Sequence, residues 1–179
     1  MSDITFSVIL VTTLLGGYYR RDEKNEEYLK RYNDEFPDKE RVQAELDTVF
    51  DFIDGCDLPA KSRAWKHTDL FTLLVELHSV LITRHVQLVP GVTGNVLAAF
   101  YQQVQVVYKD PNAVHDPALP VGKEEVARYL KGAIKATNDK YSRIDRAEVL
   151  SIVIDSTILQ EGKPQPKRRH ASARKGRKE

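Results

Sequence analysis

Residues 68–82 read TDLFTLLVELHSVLI, and this stretch decides the fold class. Phe71, Leu74, Val75, His78, Leu81 and Ile82 recur at three- and four-residue spacing, the period of a helix, while Thr68 or Asp69 supplies a start signal. The helix is strongly apolar and should be central.

The same period runs outward in both directions. On the N-terminal side, Val42, Leu46, Val49, Phe50 and Ile53 mark a helix that Asp38 can cap and Gly55 can end. Before it, residues 22–36 read as a charged surface helix with Tyr28, Leu29, Tyr32 and Phe36 on one side, closed by Pro37. Ser2 or Asp3 can cap a first, very apolar helix through Phe6, Ile9, Leu10, Thr13 and Leu14 to Gly16-Gly17, although its β-branched content leaves a strand open. So apolar an opening needs a covering surface.

On the C-terminal side, Val96, Leu97, Phe100, Val104 and Val107 place a helix over residues 92–109. A loop with three prolines follows, over residues 110–120. Val126, Tyr129, Leu130, Ala133 and Ile134 mark the next helix, and Ile144, Val149, Ile152, Val153 and Ile158 a last one, from Arg143 or Asp145 to about Leu159. The expectation is an all-α fold: one helical domain of six to seven helices over residues 1–161, with a core carried by Phe50, Trp65, Phe71, Leu74, Leu81, Phe100, Tyr129 and Ile134.

Charge divides the 179 residues in two. Residues 163–179 hold eight Lys or Arg against Glu179 alone, a tail of +7, which leaves 19 basic and 25 acidic residues before it and a body of −6. With Gly162, Pro164 and Pro166 and almost nothing apolar to bury, residues 162–179 are expected to be disordered. Lys167, Arg168, Arg169, Arg174, Lys175, Arg177 and Lys178 are the candidate nucleic-acid contacts, to DNA or RNA, and the acidic body is the rival occupant of the same charge. Having no Phe, Tyr or Trp to stack on bases and no folded element to enter a groove, the tail is expected to bind weakly and without sequence preference.

Sites of reaction are scarce. No phosphate-binding glycine loop, His-Glu-x-x-His, paired cysteines or Gly-x-Ser-x-Gly occurs. His78 and His85, seven apart near Glu76 and Arg84, could share one helix face for a metal, but a structural role is the favoured reading. Cys56, the single cysteine, sits between Asp54 and Asp57, whose charge disfavours a thiolate; it allows no intramolecular disulfide. Asp47, Asp51 and Asp54 line one helix side, either a cation site or, more simply, a solvated acidic face. Arg143 and Arg146, three apart, could fork-bind an anion, or belong to a turn in which Asn138 or Asp139 takes a left-handed conformation and Ser142 caps the helix. The apolar run Ile4 to Leu15 is far short of the ~20 residues that span a bilayer, so no membrane role is expected, and the chain is read as soluble and cytoplasmic.

The order of the apolar first helix, the run Tyr32-Asn33-Asp34-Glu35-Phe36-Pro37, the 42–53 helix, the run Ala64-Trp65-Lys66-His67-Thr68-Asp69-Leu70-Phe71-Thr72-Leu73, and Thr137-Asn138-Asp139-Lys140 through Arg143 and Arg146 resembles the helical half of GmrSD-type proteins. These are ParB-like, DNA-targeting restriction and antiviral defence proteins. The resemblance implies a helical platform in which Trp65, Phe71, Asn138, Arg143 and Arg146 are the recognisable positions, with Trp65, Asn138, Arg143 and Arg146 as interaction residues. The family's chemistry belongs to a ParB/sulfiredoxin-like module marked by Asp-Gly-Gln-Gln-Arg, and to an added HNH domain in nuclease variants. Neither motif occurs in these residues. The resemblance therefore implies a non-catalytic module without metal or cofactor, whose protein partner supplies the ParB-like part; the alternatives are a free-standing nucleic-acid-binding protein and a metal-dependent enzyme built on His78, His85 and Glu76.

Overall fold

The computed structural model describes residues 3–17, 23–135, 137 and 139–158. Asn138 and the whole basic tail, residues 162–179, lie outside the described residues. Among the described residues seven α-helices follow one another: α1 (Asp3–Gly16), α2 (Glu23–Arg31), α3 (Lys39–Gly55), α4 (His67–His78), α5 (Pro90–Lys109), α6 (Lys123–Ile134) and α7 (Lys140–Asp155). There is no strand among the described residues, so the open reading of the first element resolves to helix.

Helix α4 is central, as its strong apolarity requires. Asp69, Phe71, Thr72, Leu73, Leu74, Val75, Leu77 and His78 are all buried on it, and it touches α1, α3 and α7. One contiguous core joins these to Val49 and Ile53 of α3, Leu97, Phe100 and Val104 of α5, Val126 and Tyr129 of α6, and Val149, Leu150 and Val153 of α7. Two glycines permit the closest crossings. A Cβ on Gly94 of α5 would collide with the Cys56 carbonyl at the end of α3, and one on Gly132 of α6 would sit 2.8 Å from the Ser142 carbonyl of α7.

Several details depart from the sequence reading. Helix α4 starts at His67 and continues beyond His78 as a π turn, Ser79–Thr83, in which the Arg84 N–H donates to the Ser79 carbonyl at 2.9 Å. The wider turn breaks the regular period, so Val80 is buried and Leu81 only half-buried. Helix α2 ends at Arg31, well before Pro37, yet Tyr28, Tyr32 and Phe36 still line up, with ring centroids 6.0 Å and 4.9 Å apart. Asp38 occupies the cap position of α3 but its carboxylate receives Arg41 at 2.9 Å rather than a backbone N–H. Asp139, not Ser142, caps α7, accepting from the Tyr141 N–H at 3.0 Å with extended rather than left-handed backbone.

The expected core needs three corrections: Phe50 is 45% exposed, Trp65 39% and Ile134 48%. Val42, Val49 and Ile53 take the inward line of α3, and Phe50, one residue on from Val49, is rotated about 100° away from it. Ile134 is the final residue of α6, past the last inward residues Gly132 and Ala133. Trp65 ends a 3-10 turn (Arg63–Trp65) and spends its indole N–H on the Pro59 carbonyl at 3.0 Å. Phe71, Leu74, Phe100 and Tyr129 are buried as expected.

Candidate interaction surface and the buried polar network

An arginine beside a buried carboxylate holds the centre. Asp69 is fully buried, and the Arg63 Nε lies 2.9 Å from its Oδ2, with both side chains withdrawn from solvent. The Tyr129 hydroxyl donates to Asp69 Oδ1 at 2.8 Å, and Tyr101, also buried, stands edge-on to Tyr129 at 6.3 Å between centroids. Burial raises the Asp69 carboxyl above its ordinary value, against the opposing pull of Arg63, Tyr129, Arg146 and Lys66. Burial, with Tyr101 and the Asp69 carboxylate close by, likewise pushes the Tyr129 phenol well up. These phenols stay protonated, and the network acts as a clamp between the 3-10 turn, α4 and α6.

A second clamp uses Arg146, only 1% exposed. Its Nε donates to Thr72 Oγ1 at 2.9 Å, Nη1 to the Gly132 carbonyl at 2.5 Å, and both terminal nitrogens to the Thr137 carbonyl at 3.2 Å. The planar fork thereby ties α7 to α4, to α6 and to the turn between α6 and α7. Arg143, 2% exposed, lays its guanidinium over the Phe71 ring at 5.1 Å. Both arginines do sit in the first turns of α7, but they point inward. Read in the sequence as interaction residues, they instead hold this chain's own elements together; the void beside them, lined by His67, Thr68 and Phe71 among others, is about 20 Å³, room for a water rather than a phosphate. Asn138, their expected companion, lies outside the described residues.

The histidine site does not assemble. His78 bonds Glu45 of α3 at 2.9 Å, whereas His85 lies past the π turn, exposed, at φ 53°. Burial alone would raise the Glu45 carboxyl, but the bonds from His78 and Arg41 outweigh it and hold it below its ordinary value. Among the described residues no group of three His, Cys, Asp or Glu is placed to hold a metal ion. Cys56 is buried and its thiol pushed up to about 11 by desolvation, a stronger effect than the neighbouring aspartates from which its inertness was read. Asp47, Asp51 and Asp54 are exposed along α3 as an acidic face.

Two outward features remain. Helices α1 and α2 enclose an open apolar groove of about 640 Å³ lined by Val8, Val11, Leu15, Tyr28, Tyr32 and Phe36 among others. At the far end of the molecule's longest helix, Tyr108 of α5 is 50% exposed, with the Lys66 Nζ 5.5 Å from its ring centroid and the Arg63 guanidinium 5.7 Å from it. Of the four interaction residues expected from the sequence, Trp65 alone is described and at the surface, next in the chain to Lys66.

Arg63, Asp69 and Tyr108 went unselected in the sequence. Asp69 lies in the first turn of its helix, where an acid is ordinary, so only the tertiary structure reveals that it is buried against Arg63. No protein family, curated protein or solved structure matches this chain. Among the described residues no helix is long and apolar enough to cross a membrane.

Proposed function

We propose that this chain is a non-catalytic helical interaction module, related to the helical half of GmrSD-type defence proteins, that binds nucleic acid through its basic tail and works with a protein partner carrying a ParB-like catalytic part. The observation that carries the reading is the division of polar groups. The Arg63–Asp69 pair and Arg146 of the body are turned inward as clamps, while the chain's densest positive charge, Lys167, Arg168, Arg169, Arg174, Lys175, Arg177 and Lys178, follows α7.

A polycation attached to an acidic, internally braced body is suited to holding a phosphate backbone without reading its sequence. The test is equilibrium binding of labelled DNA and RNA duplexes to the full chain and to a full-length variant with those seven residues changed to glutamine. Loss of binding in the variant supports the reading, and equal affinities would sink it. For the partner, an Asp-Gly-Gln-Gln-Arg module encoded beside this gene and co-purifying with the chain is the expected finding; a neighbourhood without one contradicts that half of the proposal.

A further inference from the structure

The tail has cations but no Phe, Tyr or Trp; the body exposes Trp65 and Tyr108. We propose that Trp65, Lys66 and Tyr108 form a stacking platform for single-stranded nucleic acid, a second contact that deepens the nucleic-acid reading above and rests on it.

Three observations support the assignment. Trp65 and Tyr108 are both large, aromatic and substantially exposed, and Lys66, the chain neighbour of Trp65, places its Nζ 5.5 Å from the Tyr108 ring centroid. The surface is locally basic: no acid lies between Asp57 and Asp69, where Lys61, Arg63 and Lys66 fall, and Lys109 follows Tyr108. Asp69 neutralises Arg63, which leaves the exposed lysines Lys61, Lys66 and Lys109, with Asp110 as the opposing charge.

The platform is also held in shape before any ligand arrives. The Ser62 hydroxyl accepts from the Ala64 N–H at 3.2 Å, the Trp65 indole donates to the Pro59 carbonyl at 3.0 Å, and Arg63 is anchored on buried Asp69. Ordering cost on binding is correspondingly small. Two planar faces beside ammonium groups are what successive unpaired bases and their phosphates require, whereas a duplex keeps its base faces stacked inside.

Tail and platform can share one strand. Just past the end of α7, Thr157 meets the start of α5, with Thr93 Oγ1 and Thr157 Oγ1 2.9 Å apart. Tyr108 lies 15 residues further along α5, roughly 22 Å away at the helical rise. Residues 159–179 can extend to at most roughly 70 Å, ample to bridge that distance.

Trp65 is the only tryptophan, so its emission reports on the platform directly. The full chain is titrated with oligothymidylate of about 12 nucleotides, within the usual site sizes, and with an abasic phosphodiester of equal length. Expected are saturable quenching by the former, far less by the latter, and affinity weakened about tenfold in both Tyr108→Ala and Trp65-retaining Lys66→Gln/Tyr108→Leu, with melting temperature unchanged. Unchanged emission while a labelled oligonucleotide binds would overturn the platform and leave the tail reading standing. Equal quenching by the abasic chain, or quenching by polyglutamate alone, would overturn it in favour of a bare polyanion or an acidic peptide. Full-strength quenching in the tail-neutralised variant supports the platform while counting against the tail.

Discussion

Replacing Asp69 by alanine is the sharpest perturbation of the body. It leaves the Arg63 guanidinium buried without its counter-charge, only 2% of its side chain being exposed, and removes the acceptor of the Tyr129 hydroxyl. Breaking a buried pair from one side costs about 3–5 kcal/mol, and an orphaned hydroxyl about 1–3 kcal/mol more. Against a total stability of roughly 5–15 kcal/mol this is a large share. For a domain of this size the two together correspond to a fall in Tm of roughly 8–30 °C. The assay is thermal and urea unfolding followed by circular dichroism. The triple variant Arg63→Met, Asp69→Leu, Tyr129→Phe removes the ion pair and the Tyr129 hydroxyl together and should recover most of the loss, because apolar groups of similar volume replace a buried pair at little cost. If Asp69→Ala melts within a degree or two of the parent, the clamp is not a clamp; if the triple variant is worse than the single one, the loss comes from packing rather than from the stranded charge.

Other outcomes follow from the same geometry. Arg146→Lys should destabilise nearly as much as Arg146→Met, by about 3 kcal/mol in urea unfolding, because a point charge cannot serve Thr72, Gly132 and Thr137 together. Leu74→Ala should cost ~2–5 kcal/mol, whereas Phe50→Ala, on the exposed side of α3, should cost well under half of that in the same measurement. Gly94→Ala should lower Tm by several degrees, about 1–3 kcal/mol, since its Cβ meets backbone rather than a side chain that can turn aside. The Glu45 carboxyl, held below its ordinary 4.5, contributes stability that is present above that pH and lost as pH falls through the lowered value. The stability difference between the parent and Glu45→Gln should therefore shrink on acidification below 4.5; a difference that grows there would refute the His78 and Arg41 pairing.

Much of the fold was legible because periodicity reports which faces are buried. Helix α4 and most of the inward lines of α3, α5 and α6 follow from spacing, whereas on α7 the expected Ile152 is exposed and Leu150 and Ile154 are buried beside Val149 and Val153. What spacing cannot supply is how wide each buried face is. Phe50 and Ile134 are apolar and near the right line, yet only tertiary crossing angles decide that Val49 and Ala133 take the inside places. The site was less legible for a related reason. Arg143 and Arg146 look the same in sequence whether they face an anion or the chain's own carbonyls, and the partners that settle it, Thr72, Gly132 and Phe71, lie far away along the chain. Trp65 was singled out, but its lysine and tyrosine companions come from contacts between the 3-10 turn and α5 that no local pattern encodes.

The central claim is that nucleic-acid affinity resides in the charge of the tail, and the salt dependence of binding tests it most directly. Each phosphate neutralised on duplex DNA contributes a slope of about −0.9 in log affinity against log salt, so four to eight contacts predict roughly −4 to −7 for the full chain. The tail-neutralised variant should give a slope close to zero; a full chain whose affinity barely changes with salt, or a variant that keeps the parental slope, would contradict the account.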